Sequence, residues 1–125
     1  RLVADALNEN SKSVKGSRIL VVGVAYKRDI DDVRESPALD IMRLLIVRGG
    51  VVEYSDPYVP EVSEGLEAPM KSIDGVPGIC ADFDCVVVCT DHTGYDWPAI
   101  IDASPLLIDT RNVTGGRDDA HIVRL

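Results

Sequence analysis

Residues 18–24 (R-I-L-V-V-G-V) are β-branched and almost unbroken in their apolarity, the composition of a strand buried on both faces inside a parallel sheet. The segment after this run narrows the fold further. Residues 24–37 (V-A-Y-K-R-D-I-D-D-V-R-E-S-P) crowd cations and acids into a turn. Ser36 then suits a helix cap, and Pro37 the first helical position, where a missing N–H costs nothing. Leu39, Ile41, Met42, Leu44, Leu45, Ile46 and Val47 supply that helix with an apolar face. Strand, charged loop and helix start, in that order, form the place where open α/β sheets hold ligands.

The remaining chain repeats the pattern. Leu2, Val3, Ala6 and Leu7 have helical spacing over residues 1–10, with no cap before them, and a polar stretch leads to Gly16-Ser17. Gly49-Gly50 ends the helix after the charged turn, and Val51–Ser55 reads as a second strand, closed by the rigid Asp56-Pro57-Tyr58-Val59-Pro60 turn. Residues 61–78 are the least legible, with a short edge strand expected at 70–73 and a turn or brief helix at 75–79. Residues 84–90 (D-C-V-V-V-C-T) are a clear buried strand ending at Asp91-His92, and Asp96 caps a short helix running to about Ala103. A strand at 106–109 ends at Thr110-Arg111-Asn112, and 121–124 suits a last edge strand. Alternating strands and helices predict a Rossmann-like, doubly wound parallel sheet of five or six strands in three layers, with three charged turns on one edge.

Composition excludes some partners. A net charge of -8 over 125 residues gives no basic footprint for nucleic acid or an anionic membrane, although local cations can still hold a small anion. No apolar run approaches a membrane span and no signal peptide opens the chain, so a cytoplasmic protein is expected. Three cysteines, Cys80, Cys85 and Cys89, lie in or beside an apolar strand without a Cys-x-x-Cys pair and read as buried thiols, neither metal-ligating nor catalytic.

Gly23 is the only glycine in the first turn, so the G-x-G-x-x-G dinucleotide fingerprint is missing and a pyrophosphate would have to be met by side chains. Lys27, Arg34 and Arg111 are candidates, the arginines with a bidentate fork suited to phosphate oxygens. On residue chemistry alone such loop cations are more often solvated charges, or partners for Asp29, Asp31, Asp32 and Glu35. Those acids lack the spacing of a calcium loop and are expected to orient Lys27 and Arg34, with no metal bound. Asp56 reads as a turn stabiliser, His92 as structural, and Trp97 as packing its helix onto the sheet.

Residues 25–37, the Asp56-Pro57-Tyr58-Val59-Pro60 turn, Thr90-Asp91-His92 and Asp109-Thr110-Arg111-Asn112 together resemble the C-terminal domain of the UDP-glucose/GDP-mannose dehydrogenase family. Within it they are most similar to the bacterial UDP-N-acetylglucosamine 6-dehydrogenases, whose A-Y-K-x-(D/N)-(I/V)-D-D-x-R-E-S-P pattern is met at every fixed place. The resemblance runs from Ala6 onward. It implies that residues 1–15 are the end of a connector helix and linker, and that 16–125 form a UDP-sugar-binding domain of a longer polypeptide. The activity implied is NAD-dependent oxidation of the C6 alcohol of UDP-N-acetylglucosamine, or a related UDP-sugar, to the carboxylate, within polysaccharide biosynthesis. By the same resemblance Tyr26, Lys27 and Arg111 touch the nucleotide sugar and Arg34 touches NAD. The nucleophilic cysteine and main NAD site belong to the N-terminal half, leaving no catalytic residue here and an isolated chain that is inactive. Family members dimerise, so a homodimer of the full-length enzyme is implied. The alternatives are a UDP-glucose, UDP-N-acetylmannosamine or GDP-mannose dehydrogenase domain, or a non-catalytic nucleotide-binding module.

Overall fold

The structure, a computed structural model, describes residues 2–9 and 13–124. The ends of the helical stretch expected at 1–10, and residues 10–12 of the polar linker, lie outside the described residues. In chain order the elements are α1 (Leu2–Glu9), β1 (Arg18–Val22), α2 (Pro37–Val47), β2 (Val51–Ser55), β3 (Glu61–Val62), β4 (Met70–Lys71), a 3-10 turn (Gly78–Asp82), β5 (Cys85–Val88), α3 (Trp97–Ala103), β6 (Leu107–Asp109) and β7 (Ile122–Arg124).

Five strands form one parallel sheet in the order β2-β1-β5-β6-β7. Side chains alternate across it, as a pleat requires. Ile19, Val21, Cys85, Val87 and Ile108 pack with Leu39, Met42 and Leu45 of α2 and Val3, Ala6 and Leu7 of α1. Leu20, Val22, Val86, Val88 and Leu107 pack with Ile100 and Ile101 of α3, and with Cys80 and Phe83 around the 3-10 turn. Three layers result, and β1 and β5 are buried on both faces, as their unbroken apolar runs require.

The helix boundaries follow from local chemistry. Ser36 Oγ accepts the Ala38 N–H at 3.3 Å, with Pro37 in the first turn, and Asp96 caps α3 by accepting the Ala99 N–H at 3.2 Å. Gly49, at φ 91°, turns the chain out of α2, its N–H going to Ile46 O at 2.9 Å.

Three expectations need correction. β1 stops at Val22: the Gly23 N–H still reaches Ser55 O at 2.8 Å, but those of Val24 and Ala25 leave the ladder for the Asp56 carboxylate. Likewise β5 ends at Val88, with Thr90 donating its hydroxyl to Ala25 O at 2.6 Å. The strand expected at 70–73 is not an edge of the main sheet. Its first two residues pair antiparallel with β3 in a separate ribbon, while Ile73 donates its N–H to Tyr54 O at the end of β2.

β2 lies on one side of β1 and β5 on the other, so the chain reverses its direction of travel across the sheet between them. In a parallel sheet such a switch opens a crevice at the strands' carboxyl ends. The loops after β1, β5 and β6 meet there.

Candidate functional site

The loop after β1 arches out of the sheet and is pinned at both feet. At the near foot Asp56, buried at the end of β2, accepts the N–H groups of Val24 and Ala25 on Oδ2 at 2.8 and 3.1 Å. At the far foot the Asp29 N–H donates to His92 Nδ1 at 2.8 Å, and the Asp29 carboxylate accepts the Thr93 N–H and hydroxyl at 2.9 and 2.8 Å. Those bonds from Thr93 are the main reason the Asp29 carboxyl sits below the usual carboxylate range. Arg28 adds an ion pair to Asp91 at 2.6 Å, which raises its own pKa. Within the arch the Tyr26 N–H reaches Asp32 O at 2.7 Å. Asp29 has a φ of 62°, a left-handed conformation that aspartate tolerates better than most residues.

Gly23 begins this arch at φ 84°, against Thr90 of the neighbouring loop. A Cβ there would lie 2.5 Å from Thr90 Cβ and 2.8 Å from its nitrogen, so only glycine allows the two loops this approach.

After β6, buried Asp109 folds the third loop around itself. Oδ1 accepts the N–H groups of Arg111 and Val113 at 3.0 and 3.1 Å, and Oδ2 accepts the N–H and hydroxyl of Thr114 at 2.9 and 2.6 Å. Burial pulls the Asp109 pKa up, but the combined hydrogen bonds outweigh it and leave the group below its ordinary value. The loop so formed aims Arg111 across the strand ends. Its Nε–H donates to Cys89 O at 2.9 Å and Nη2 to Tyr26 O at 3.4 Å, tying the third loop to the first.

Tyr26, Lys27 and Arg111, expected from sequence to act together, therefore line one open groove of about 520 Å³ with Pro37, Ile41, Cys89 and Thr110. No carboxylate lines it. Five nearby acids are occupied, Asp29 by Thr93, Asp32 by Arg34, Asp91 by Arg28, and Asp56 and Asp109 by backbone N–H groups, while Asp31 and Glu35 of the same turn lie outside the groove lining and hold neither cation. Among the described residues Lys27 and Arg111 have no ion-pair partner. An acidic chain thus presents two uncompensated cations and an exposed aromatic ring in one place, which suits an anion carrying a ring.

Arg34 lies outside that groove. Its guanidinium grips Asp32 bidentately, Nε to Oδ1 at 3.0 Å and Nη2 to Oδ2 at 2.9 Å, with the side chain 81% exposed. That contact holds the Asp32 carboxyl down to about 2. Of the acids expected to orient Lys27 and Arg34, Asp32 holds Arg34, whereas Asp29 turns to Thr93. No three His, Cys, Asp or Glu side chains gather to hold a metal ion among the described residues.

A dinucleotide does not fit this chain's own first loop. The backbone N–H groups that a Rossmann loop offers to pyrophosphate are, at Val24 and Ala25, already taken by the Asp56 carboxylate. The thiols offer no nucleophile either. Burial pushes Cys85 and Cys89 up to about 12, the Arg111 charge only partly offsetting it at Cys89.

Sequence reasoning placed Asp56 and His92 in structural roles without seeing that they meet. His92, fully buried, stands 2.8 Å from Asp56 Oδ2 through Nε2, and Trp97 donates its indole N–H to the His92 carbonyl at 3.2 Å. The loop-organising role of Asp109 was also missed. The available signal was shared: an aspartate at or just past the end of β2, β5 and β6, before a loop rich in unpaired N–H groups.

A family model described as the UDP-glucose/GDP-mannose dehydrogenase family, UDP binding domain, matches residues 20–116. UDP-glucose 6-dehydrogenase of Rickettsia bellii is 32% identical over 124 residues, covering 89% of this chain and 26% of that protein. UDP-glucose 6-dehydrogenase of Bacillus subtilis is 33% identical over 122 residues, covering 89% of this chain and 25% of its own length. Among solved structures, the UDP-D-ManNAc dehydrogenase of Pyrococcus horikoshii superposes with a TM-score of 0.78 at 26% identity, over 98% of this chain and 28% of that one. The chain thus spans about a quarter of the length of these relatives.

Proposed function

The chain belongs to the UDP-glucose/GDP-mannose dehydrogenase family, as its UDP-binding domain, and from that premise we propose that it closes the substrate side of an NAD-dependent UDP-sugar 6-dehydrogenase. The observation that carries this reading is the groove where Tyr26, Lys27 and Arg111 converge without a carboxylate. Tyr26 offers a ring face to the uracil, and Lys27 and Arg111 meet the diphosphate, Arg111 through the guanidinium N–H groups that Cys89 O and Tyr26 O leave open. Residues 16–125 are proposed as this domain, and residues 1–15, which include α1, as the end of a connector helix and a linker from an N-terminal half.

NAD, held by that half, supplies hydride acceptance. Arg34 is the one residue here assigned to reach it, exchanging its Asp32 partner for the cofactor on closure. This chain grips and orients the nucleotide and, by closing, excludes water from the reacting centre. With every cysteine buried, it does not oxidise a sugar alone. The full enzyme is proposed to work as a cytoplasmic homodimer. No helix among the described residues is long and apolar enough to cross a membrane.

The sugar is proposed to be N-acetylglucosamine, on the match of residues 25–37 to that subfamily's pattern. UDP-glucose and UDP-N-acetylmannosamine are the second reading, because relatives bear those substrates in their names. The test is NAD reduction by the longer polypeptide with each UDP-sugar in turn. A preference for UDP-N-acetylglucosamine supports the assignment, and turnover of UDP-glucose alone replaces it. No turnover of any UDP-sugar by a folded enzyme defeats the dehydrogenase reading. Arg34→Ala separates the two grips, raising the KM for NAD while UDP affinity of this chain stays unchanged.

A further inference from the structure

Resting on that reading of the groove, we propose that His92 is a positioning residue for nucleotide binding, which together with Asp56 clamps both feet of the arch that presents Tyr26 and Lys27.

The hydrogen bonding fixes the ring's state. The Asp29 amide is a donor, so Nδ1 must accept and carries no proton. The ring is then neutral, with its proton on Nε2 and donated to Asp56 Oδ2 at 2.8 Å. That same oxygen accepts the Val24 and Ala25 N–H groups. One buried imidazole therefore joins the near foot of the arch, through Asp56, to its far foot at Asp29. Tyr26 and Lys27 sit between the feet and make no side-chain hydrogen bond of their own among the described residues.

A residue serving only the core would spend its polar atoms on the core. His92 spends both ring nitrogens on groups that anchor this one loop. Its neighbours act on the same span, since Asp91 holds Arg28 and Thr93 holds the Asp29 carboxylate. Tyr58 and Tyr95 flank the ring at centroid distances of 4.8 and 6.3 Å and keep it from turning. The Thr90-Asp91-His92-Thr93 turn is thus a template on which the nucleotide-gripping loop is laid.

Two near-isosteric substitutions separate the ends of the clamp. Asparagine places an oxygen where Nδ1 stands and keeps the Asp29 anchor, whereas glutamine places an N–H where Nε2 stands and keeps only the Asp56 bond. The assay is calorimetric titration of this chain with UDP, beside urea unfolding and amide exchange at Asp29. For His92→Gln the Kd for UDP is expected to rise about tenfold, the effect of freeing one buried anchor, with faster Asp29 exchange; for His92→Asn it should rise by less than about threefold. The two variants should have similar unfolding midpoints.

Equal affinities for the two variants, or affinity that merely follows stability, would overturn the proposal. Thr93→Val, at an exposed position, loosens the same far foot without entering the core. It should weaken UDP by a smaller factor, and unchanged binding there, should the glutamine variant not fold, would also overturn the clamp. Absence of UDP binding by the wild-type chain, with an Asp29 amide still released by glutamine alone, would leave the clamp standing and refute the nucleotide reading instead. An Asp29 amide indifferent to both substitutions refutes the clamp itself.

Discussion

Replacing Asp56 by asparagine changes one oxygen for an NH2 group and almost no volume, yet it should be among the most damaging conservative substitutions in the domain. The carboxylate accepts four hydrogen bonds: from Val24, Ala25 and His92 on Oδ2, and from the Tyr58 N–H on Oδ1 at 2.8 Å. An asparagine can present oxygen to one side only. With the oxygen toward the arch, three bonds survive but lose charge assistance, about 1 kcal/mol each, and the Tyr58 N–H faces a donor at a cost of about 1–3 kcal/mol. Relief from burying a charge offsets part of this, leaving a net loss of about 2–4 kcal/mol. Against a total stability of about 5–15 kcal/mol, that lowers the melting point by on the order of 10 °C. The single tryptophan, Trp97, reports the loss directly, because its indole donates to the His92 carbonyl. Urea unfolding followed by its fluorescence should show an earlier midpoint at an unchanged slope. A midpoint shift worth less than about 0.5 kcal/mol, the range of ordinary surface changes, would refute the reasoning.

Gly23→Ala should cost about 2–5 kcal/mol, combining a left-handed residue with overpacking against Thr90, and a thermal melt within a degree of wild type would contradict it. Asp109 has a folded-state pKa below its unfolded value near 3.9, so the stability it contributes is complete above about pH 4 and is lost as pH falls through the folded value. Acid unfolding should therefore be shallower in Asp109→Asn, which starts less stable at neutral pH; identical slopes would remove Asp109 from the account. Cys85 and Cys89, pushed up to about 12 by burial, should resist iodoacetamide at pH 8 until denaturant is added, as read by intact mass. Rapid native labelling at either would contradict their burial.

The local features were the ones legible in the sequence. The β1 run, the Ser36-Pro37 start and Gly49 stop of α2, and the Asp96 cap of α3 each depend on residues within one turn of chain; the caps stand where the pattern put them, and β1 starts as expected and ends two residues early. Residues 61–78 resisted because their strands are two residues each, too short for any periodicity, and are held by bonds to Tyr54 and Pro60. The groove was half legible. Strand-end topology brings Tyr26, Lys27 and Arg111 to one edge, but nothing local shows which acids will neutralise which cations. Arg34 and Lys27 stand in the same charged turn, and only the fold leaves Lys27 free while Asp32 occupies Arg34. His92 and Asp56, 36 residues apart, each looked like an isolated turn residue; their pairing exists only because β1 lies between the strands that carry them.

The most direct test of the central claim is calorimetric titration of this chain with UDP, with Lys27→Ala and Arg111→Ala beside it. Saturable binding that either substitution weakens by about tenfold or more is expected, the loss of a charge-assisted phosphate contact being worth about 1.5–3 kcal/mol. Binding of UDP that both substitutions leave untouched would place the nucleotide elsewhere and contradict the groove as its site.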